Sequence, residues 1–230
     1  MLFLRSLVLL AVFTGANAAA QDEPIILETP GEESLDHRAF RAVYNYEDPA
    51  FSAAMRGVNI ASYPIFFIVI PAVGITDLIV DGDAGAGTRM LASELATMGV
   101  VFGLKNLIRR TRPYVAFPDV ERRPVGAPGP PGGIDSFSFP SGHAAIAFSV
   151  ATSASLSYPE WYVIVPAMTW ASATALARVW HGMHFPSDIV VGAVVGAGMG
   201  ILVHELLAPD DEQDVLTSNA VPVFSFTLMF

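Results

Sequence analysis

Two short stretches hold the residues best suited to chemistry. "FPSGHAAI" (139–146) sets a proline, Ser141 and Gly142 ahead of His143, at the mouth of an apolar, helix-forming run. A helix beginning there leaves several backbone N–H groups without intrahelical partners and pointing one way, a geometry that binds anions with help from the helix dipole. Gly142 permits close backbone approach, the Ser141 hydroxyl is a further donor, and His143 can give a proton to whatever binds. An ordinary N-cap serine beside a chance histidine reads the same way in isolation. "ARVWHGMHFPSDIVV" (177–191) sets Asp188 four residues after His184. A carboxylate at that spacing can hold one ring nitrogen, fix the tautomer and leave the other nitrogen as a nucleophile. A structural His–Asp pair is the alternative.

Cations form the third cluster. The chain has a single lysine, Lys105, in "GLKNLIRRTRPY". On a helix Lys105, Arg109 and Arg112 fall at i, i+4 and i+7 and share one face. Pro113 then predicts the helix end, because a residue before proline is biased out of the helical region. Such cations also suit a helix C-terminus or a membrane boundary without any ligand.

The elements that must position these groups are apolar. The chain has 230 residues, 53% hydrophobic and only 15% charged, against a usual charged share of about a quarter. That shortage points to a membrane protein or an unusually apolar bundle. A formal net charge of −10 argues against a nucleic-acid surface, and the absence of cysteine excludes disulfides and thiolate chemistry. Residues 1–20 read as a signal peptide, with Arg5 in the n-region and Ala16-Asn17-Ala18 as the cleavage site. Residues 21–50 form an acidic segment with a short amphipathic helix around "LDHRAFRAVYNY". Gly57 to Thr76 is an uncharged run long enough to span a bilayer, and weaker apolar segments lie near 89–108, 143–158, 161–178 and 187–206. Their alternation with short loops predicts an all-α bundle, with about five membrane-embedded helices in a catalytic domain over 51–208. Residues 114–135 are rich in proline and glycine and read as a long loop, and 209–230 as a docking or disordered tail.

Taken together, "KNLIRRTRP", "PSGH" and "RVWHGMHFPSD" resemble the three signature motifs of the phosphatidic acid phosphatase type 2 superfamily. That family includes class A acid phosphatases and, more distantly, vanadium haloperoxidases. Lys105, Arg112 and Pro113 match the first motif, Pro140 to His143 the second, and Arg178, His184 and Asp188 the third. Ala177 stands where the third motif has serine, a departure outside the core constellation. The resemblance implies hydrolysis of a phosphate ester with no metal and no cofactor. His184, oriented by Asp188, would attack phosphorus and become phosphohistidine. His143 would protonate the leaving oxygen and then activate water. Lys105, Arg112, Arg178 and the Ser141 and Gly142 N–H groups would bind the phosphoryl oxygens. Arg109 is a possible helper from the same face, His181 reads as structural or as a rim residue, and His37 and His204 lie outside the motifs.

Within that family the apolar segments favour a lipid phosphate as substrate, hydrolysed on the periplasmic side of a bacterial envelope membrane. A soluble periplasmic acid phosphatase and a non-catalytic lipid-phosphate-binding protein are the competing readings. The spanning arrangement conflicts with the positive-inside tendency. Nearly all arginines fall on the outer side, while Asp81, Asp83 and Glu160 lie in loops that would face the cytoplasm. A phosphate site needs cations on its own side, which accounts for part of that bias. The sequence carries no signal for oligomeric state or for the headgroup selected.

Overall fold

The computed structural model describes residues 34–80, 85–123 and 137–207. The signal peptide, most of the acidic segment before Ser34, the middle of the Pro/Gly loop (124–136) and the tail lie outside the described residues. Among the described residues every regular element is helical. They are α1 (Leu35–Tyr44), α2 (Pro49–Val80), α3 (Ala86–Ile108), the one-turn α4 (Pro113–Ala116), α5 (Gly142–Ser157), α6 (Trp161–Trp180) and α7 (Pro186–Leu207).

Local sequence explains most boundaries. Ser34 and Asp48 cap α1 and α2 by accepting from the backbone N–H groups three residues on, His37 and Phe51. Pro49 and Pro186 sit at the first helical position, where a missing N–H costs nothing. Inside α2, Ile65–Val69 form a single π-helical turn directly after Pro64. A proline cannot donate to the carbonyl four residues back, and the turn absorbs that defect without breaking the helix. The long helices run up and down, so Asp48, Arg109, Ser141, His181 and the start of α7 meet at one end.

The bundle is built inside out relative to a water-soluble one. α5 lies at its centre, packed on α3, α6 and α7. Its buried face is made of small and hydroxylic side chains such as Ala145, Ala147, Ser149, Ala151 and Ser153. Large apolar groups point outward instead, among them Phe67, Ile68, Ile79, Leu107, Trp161 and Val194. Such an exterior would aggregate in water and is satisfied by lipid. Among the described residues four helices, α2, α3 with its extension to Ala116, α6 and α7, are long and apolar enough to cross a membrane. The sequence reading of about five embedded helices compares with these four; α5, the central helix, is shorter and is not among them.

Close approach of α5 and α7 rests on glycine. A Cβ at Gly192 would stand 2.7 Å from the Ser141 carbonyl oxygen, and one at Gly200 would stand 2.7 Å from that of Ser149. One at Gly196 would collide with the Ala145 carbonyl. The spacing of four residues lets the backbones touch, as small residues do at helix contacts in membranes. This contact fixes the start of α5, which carries Gly142 and His143, against the start of α7, which carries Asp188.

Candidate active site

Five segments meet at one end of the bundle: the α2 interior, the α3 C-terminus, the 137–141 approach to α5, the α6 C-terminus and the 181–188 turn. Every side chain singled out from sequence lies there. Lys105, Arg112, Ser141, Arg178, His184 and Asp188 are all buried. The electrostatic fields of Arg178, His184, Arg112 and Lys105 all act on the His143 ring. That ring lies edge-on to Tyr63 and Phe66, with centroids 5.1 and 5.8 Å away. Both aromatics come from the stretch of α2 around its π-helical turn. The His143 Nε2 is buried with no hydrogen-bond partner among the described residues. A reacting group that needs a proton donor would supply one.

His184 is held through its Nδ1, which lies 2.7 Å from the Ser138 carbonyl oxygen. A carbonyl only accepts, so the proton sits on Nδ1 and Nε2 keeps its lone pair. Arg112 Nη1 stands 3.2 Å from Nε2 and also donates to the Met183 carbonyl at 2.9 Å. The spacing of four residues predicted that Asp188 would hold this ring directly, and the structure differs. Asp188 Oδ2 is 3.7 Å from Nδ1, beyond a hydrogen bond. Its Oδ2 accepts from the Phe185 N–H at 2.8 Å, closing the first turn of α7, and from the Ser138 hydroxyl at 2.5 Å. Asp188 therefore positions the Ser138 segment, and the Ser138 carbonyl positions the histidine.

The cations are anchored by neutral oxygens. Lys105 Nζ donates to the Phe137 carbonyl and Arg178 Nη1 to the Asn59 side-chain oxygen, both at 2.5 Å. Such contacts aim a charge without adding an opposing one, which suits a site for a phosphoryl group.

Two further details depart from the sequence reading. The α3 helix stops at Ile108, five residues before Pro113, because Arg109 adopts a left-handed conformation (φ 52°) that ends it. Arg109 turns back to the Asn106 carbonyl, so it does not share the helical face of Lys105. Its neighbour Arg110 enters the site instead, donating to Asp188 Oδ1 at 2.7 Å, to the Ser187 hydroxyl at 2.7 Å and to Asp36 at 2.8 Å. The second departure concerns Ser141. Its N–H donates to the Asp188 carbonyl at 3.0 Å, and its hydroxyl caps the Ala144 N–H. The N–H groups left at the start of α5 for an anion are those of Gly142 and His143.

Sequence reasoning missed Asn59, Arg110, Ser138 and Asp36. Asp36 also accepts from the Ser187 N–H at 2.8 Å, so α1 braces the start of α7. Asn59, Ser138 and Asp36 belong to no local pattern that distinguishes them from ordinary polar residues. Arg110 alone carried a signal, as the third arginine of a cluster in which only two had been placed.

The fold is matched by known proteins. The PAP2 superfamily model matches residues 86–210, more than half of the chain, and the protein belongs to that superfamily. Two solved structures share its fold. A transmembrane PAP2-type phosphatidylglycerolphosphate phosphatase from Bacillus subtilis aligns over 88% of this chain and 92% of its own, with a TM-score of 0.58 and 25% identity. LpxE from Aquifex aeolicus aligns over 74% and 94%, with a TM-score of 0.58 and 24% identity. By sequence, 79 residues are 42% identical to a lipid A 1-phosphatase of Porphyromonas gingivalis, over 33% of this chain and 17% of that protein. Another 35% identity extends over 124 residues of a decaprenylphosphoryl-5-phosphoribose phosphatase of Mycobacterium tuberculosis, covering 52% of this chain and 57% of that one. The chain thus spans between a sixth and three-fifths of the length of these two relatives.

Proposed function

We propose that this protein is a metal-independent phosphatase acting on a lipid phosphate through a phosphohistidine on His184, with its site on the periplasmic side of the membrane. The observation that carries the reading is the convergence of His143, His184 and three buried cations at one end of an apolar bundle. The His184 Nε2 lone pair attacks phosphorus while the P–O ester bond breaks. The departing oxygen takes its proton from His143 and leaves as an alcohol. His143, now neutral at that nitrogen, accepts a proton from water, whose oxygen attacks the phosphohistidine and releases inorganic phosphate and His184. Arg112, Arg178 and Lys105 bind the phosphoryl oxygens with the Gly142 and His143 N–H groups. Asp188 and Arg110 hold the frame. An apolar exterior beside this end brings a lipid headgroup to the site directly from the bilayer, and it disfavours a soluble phosphatase.

The test is acid-labile phosphate on the protein. With an aryl phosphate, whose leaving group needs little protonation, His143→Ala should form phosphohistidine and then stall for lack of a base. His184→Ala should form none. Label on His143, or phosphoenzyme in the His184 variant, would reverse the roles. Turnover should survive excess chelator, and vanadate should inhibit as a five-coordinate mimic. Loss of activity in chelator, restored by a divalent ion, would sink the mechanism.

A further inference from the structure

Beside the phosphoryl site lies a further pocket that the mechanism does not use. Its volume is about 350 Å³, and it opens between the start of α2, the segment before it, Arg123 and the C-terminus of α6. Two guanidiniums line it, Arg56 and Arg123, against one carboxylate, Glu47. Arg123 is built in: it donates to the Trp180 and Tyr44 carbonyls and lies over the Tyr44 and Trp180 rings, 4.2 and 4.3 Å from their centroids. Arg56 sits over the Trp180 ring at 5.6 Å, is exposed at the mouth, and has no hydrogen bond or ion pair among the described residues.

At the inner wall stands His181, 1% exposed, and among the described residues neither ring nitrogen has a partner in good hydrogen-bond geometry. Burial, with Arg178 second, lowers its pKa to about 4 against a weaker upward pull from the backbone of Arg123 and Met55. The ring is therefore neutral at neutral pH and keeps one N–H donor. A buried ring approached only by the backbone of Arg123 and Met55, two cations and an aromatic wall make a site that an anionic oxygen would complete.

Its position ties it to the reaction. Ser52, Arg56 and Asn59 fall at i, i+4 and i+7 on α2, and Asn59 holds Arg178. His181 follows Arg178 by three residues, so the pocket is about one helical turn from the phosphate-binding cations. We infer that this pocket is a second anion subsite that receives another phosphate carried by the same lipid substrate, making a doubly phosphorylated lipid the preferred one. This rests on the phosphatase reading above and names its substrate class.

The experiment compares two synthetic lipids with identical acyl chains, one bearing a single phosphate and one bearing two, in neutral detergent micelles. The full-length protein should show the lower KM on the doubly phosphorylated lipid. Arg56→Gln should raise that KM about tenfold, the worth of one charge-assisted hydrogen bond. It should leave kcat, and the KM of the singly phosphorylated lipid, within about twofold. Arg56→Lys should recover part of the loss, since charge returns without the planar fork. Equal KM values for both lipids in the wild-type protein would overturn the subsite alone, whereas hydrolysis of neither would overturn the phosphatase reading beneath it. An equal rise on both lipids in Arg56→Gln, erased in vesicles rich in anionic lipid, would make the pocket a general membrane anchor and overturn the inference. So would sulfate that alters KM for the singly phosphorylated lipid in the wild type but not in Arg56→Gln, because a free anion would then be the occupant.

Discussion

Each end of the bundle buries a histidine beside an arginine. At one end His184 Nε2 lies 3.2 Å from Arg112, and at the other His204 Nε2 lies 3.5 Å from Arg89. By residue type and burial the two pairs are near twins. What separates them is the company. His184 sits in a turn between helices, where the Ser138 carbonyl sets its tautomer and the start of α5 presents outward-facing N–H groups. His204 sits within the last turn of α7, and Arg89 within the first turns of α3, each on a helix rather than in a turn between helices. A buried pair becomes a reactive site only where chain breaks supply donors and an opening. The far pair instead gives each of two buried polar groups a neighbour inside an apolar bundle, where a lone one would be costly.

That contrast can be broken by exchange experiments. His184→Ala should lower turnover by about 10⁴-fold or more, as loss of a nucleophile does elsewhere. His204→Ala should leave kcat within about threefold while lowering the thermal midpoint in detergent. Comparable losses of turnover at both ends would erase the distinction. Next in size, Arg112→Lys should cost about 10²–10³ in kcat, since a point charge cannot replace a planar fork aimed at a phosphoryl group. The same change at Arg89 should cost almost none, as measured by initial rates on one substrate.

Arg110 sharpens the comparison, because it bridges two carboxylates, Asp36 and Asp188. Arg110→Gln should reduce kcat about tenfold with KM nearly unchanged, the signature of a positioning residue, and Arg110→Lys should restore part of it. A change confined to KM would mean that Arg110 binds substrate itself. Smaller in its effect on the chemistry, Gly196→Val should force α5 and α7 apart at the Ala145 carbonyl. Stability should fall first, by a few kcal/mol as for other overpacked sites, and any protein that remains folded should retain its phosphoenzyme chemistry.

The smallest effect concerns acid. His181 has a folded-state pKa of about 4 against 6.5 in an unfolded chain, so the unfolded state binds the extra proton first. The contribution is intact above about pH 6.5 and is lost as pH falls toward 4, with Arg178 and Arg123 adding repulsion to burial. His181→Gln should flatten the decline in thermal midpoint over that window. An unchanged slope would place the acid sensitivity elsewhere.

Much of this architecture was readable from residue order, and the failures have specific causes. The helices over 86–108, 142–157, 161–180 and 186–207 fall within a few residues of the apolar segments, because lipid-facing helices write their length into composition. The motif residues were legible because their spacing is local. Arg109 and Arg110 were not sorted correctly, since one left-handed residue redirects everything after it and no rule assigns that conformation to an arginine. The direct His184–Asp188 bond was the natural expectation from a spacing of four, but that spacing applies inside a helix, and His184 lies before one. Asn59 and Ser138 were invisible because each meets its partner across 119 and 46 residues of chain. The π-helical turn in α2 follows from Pro64 only in hindsight, as a proline can equally kink a helix or end it.

The protein's one lysine, Lys105, is buried with its ammonium group on the Phe137 carbonyl. Reagents that couple, cross-link or immobilise proteins through side-chain amines therefore find no surface target on this one. The same scarcity turns Lys105 into a reporter. A small amine-directed probe can modify a single side chain, that side chain lies in the proposed phosphate site, and a bound oxyanion should shield it, so the extent of labelling reads occupancy without any assay of turnover.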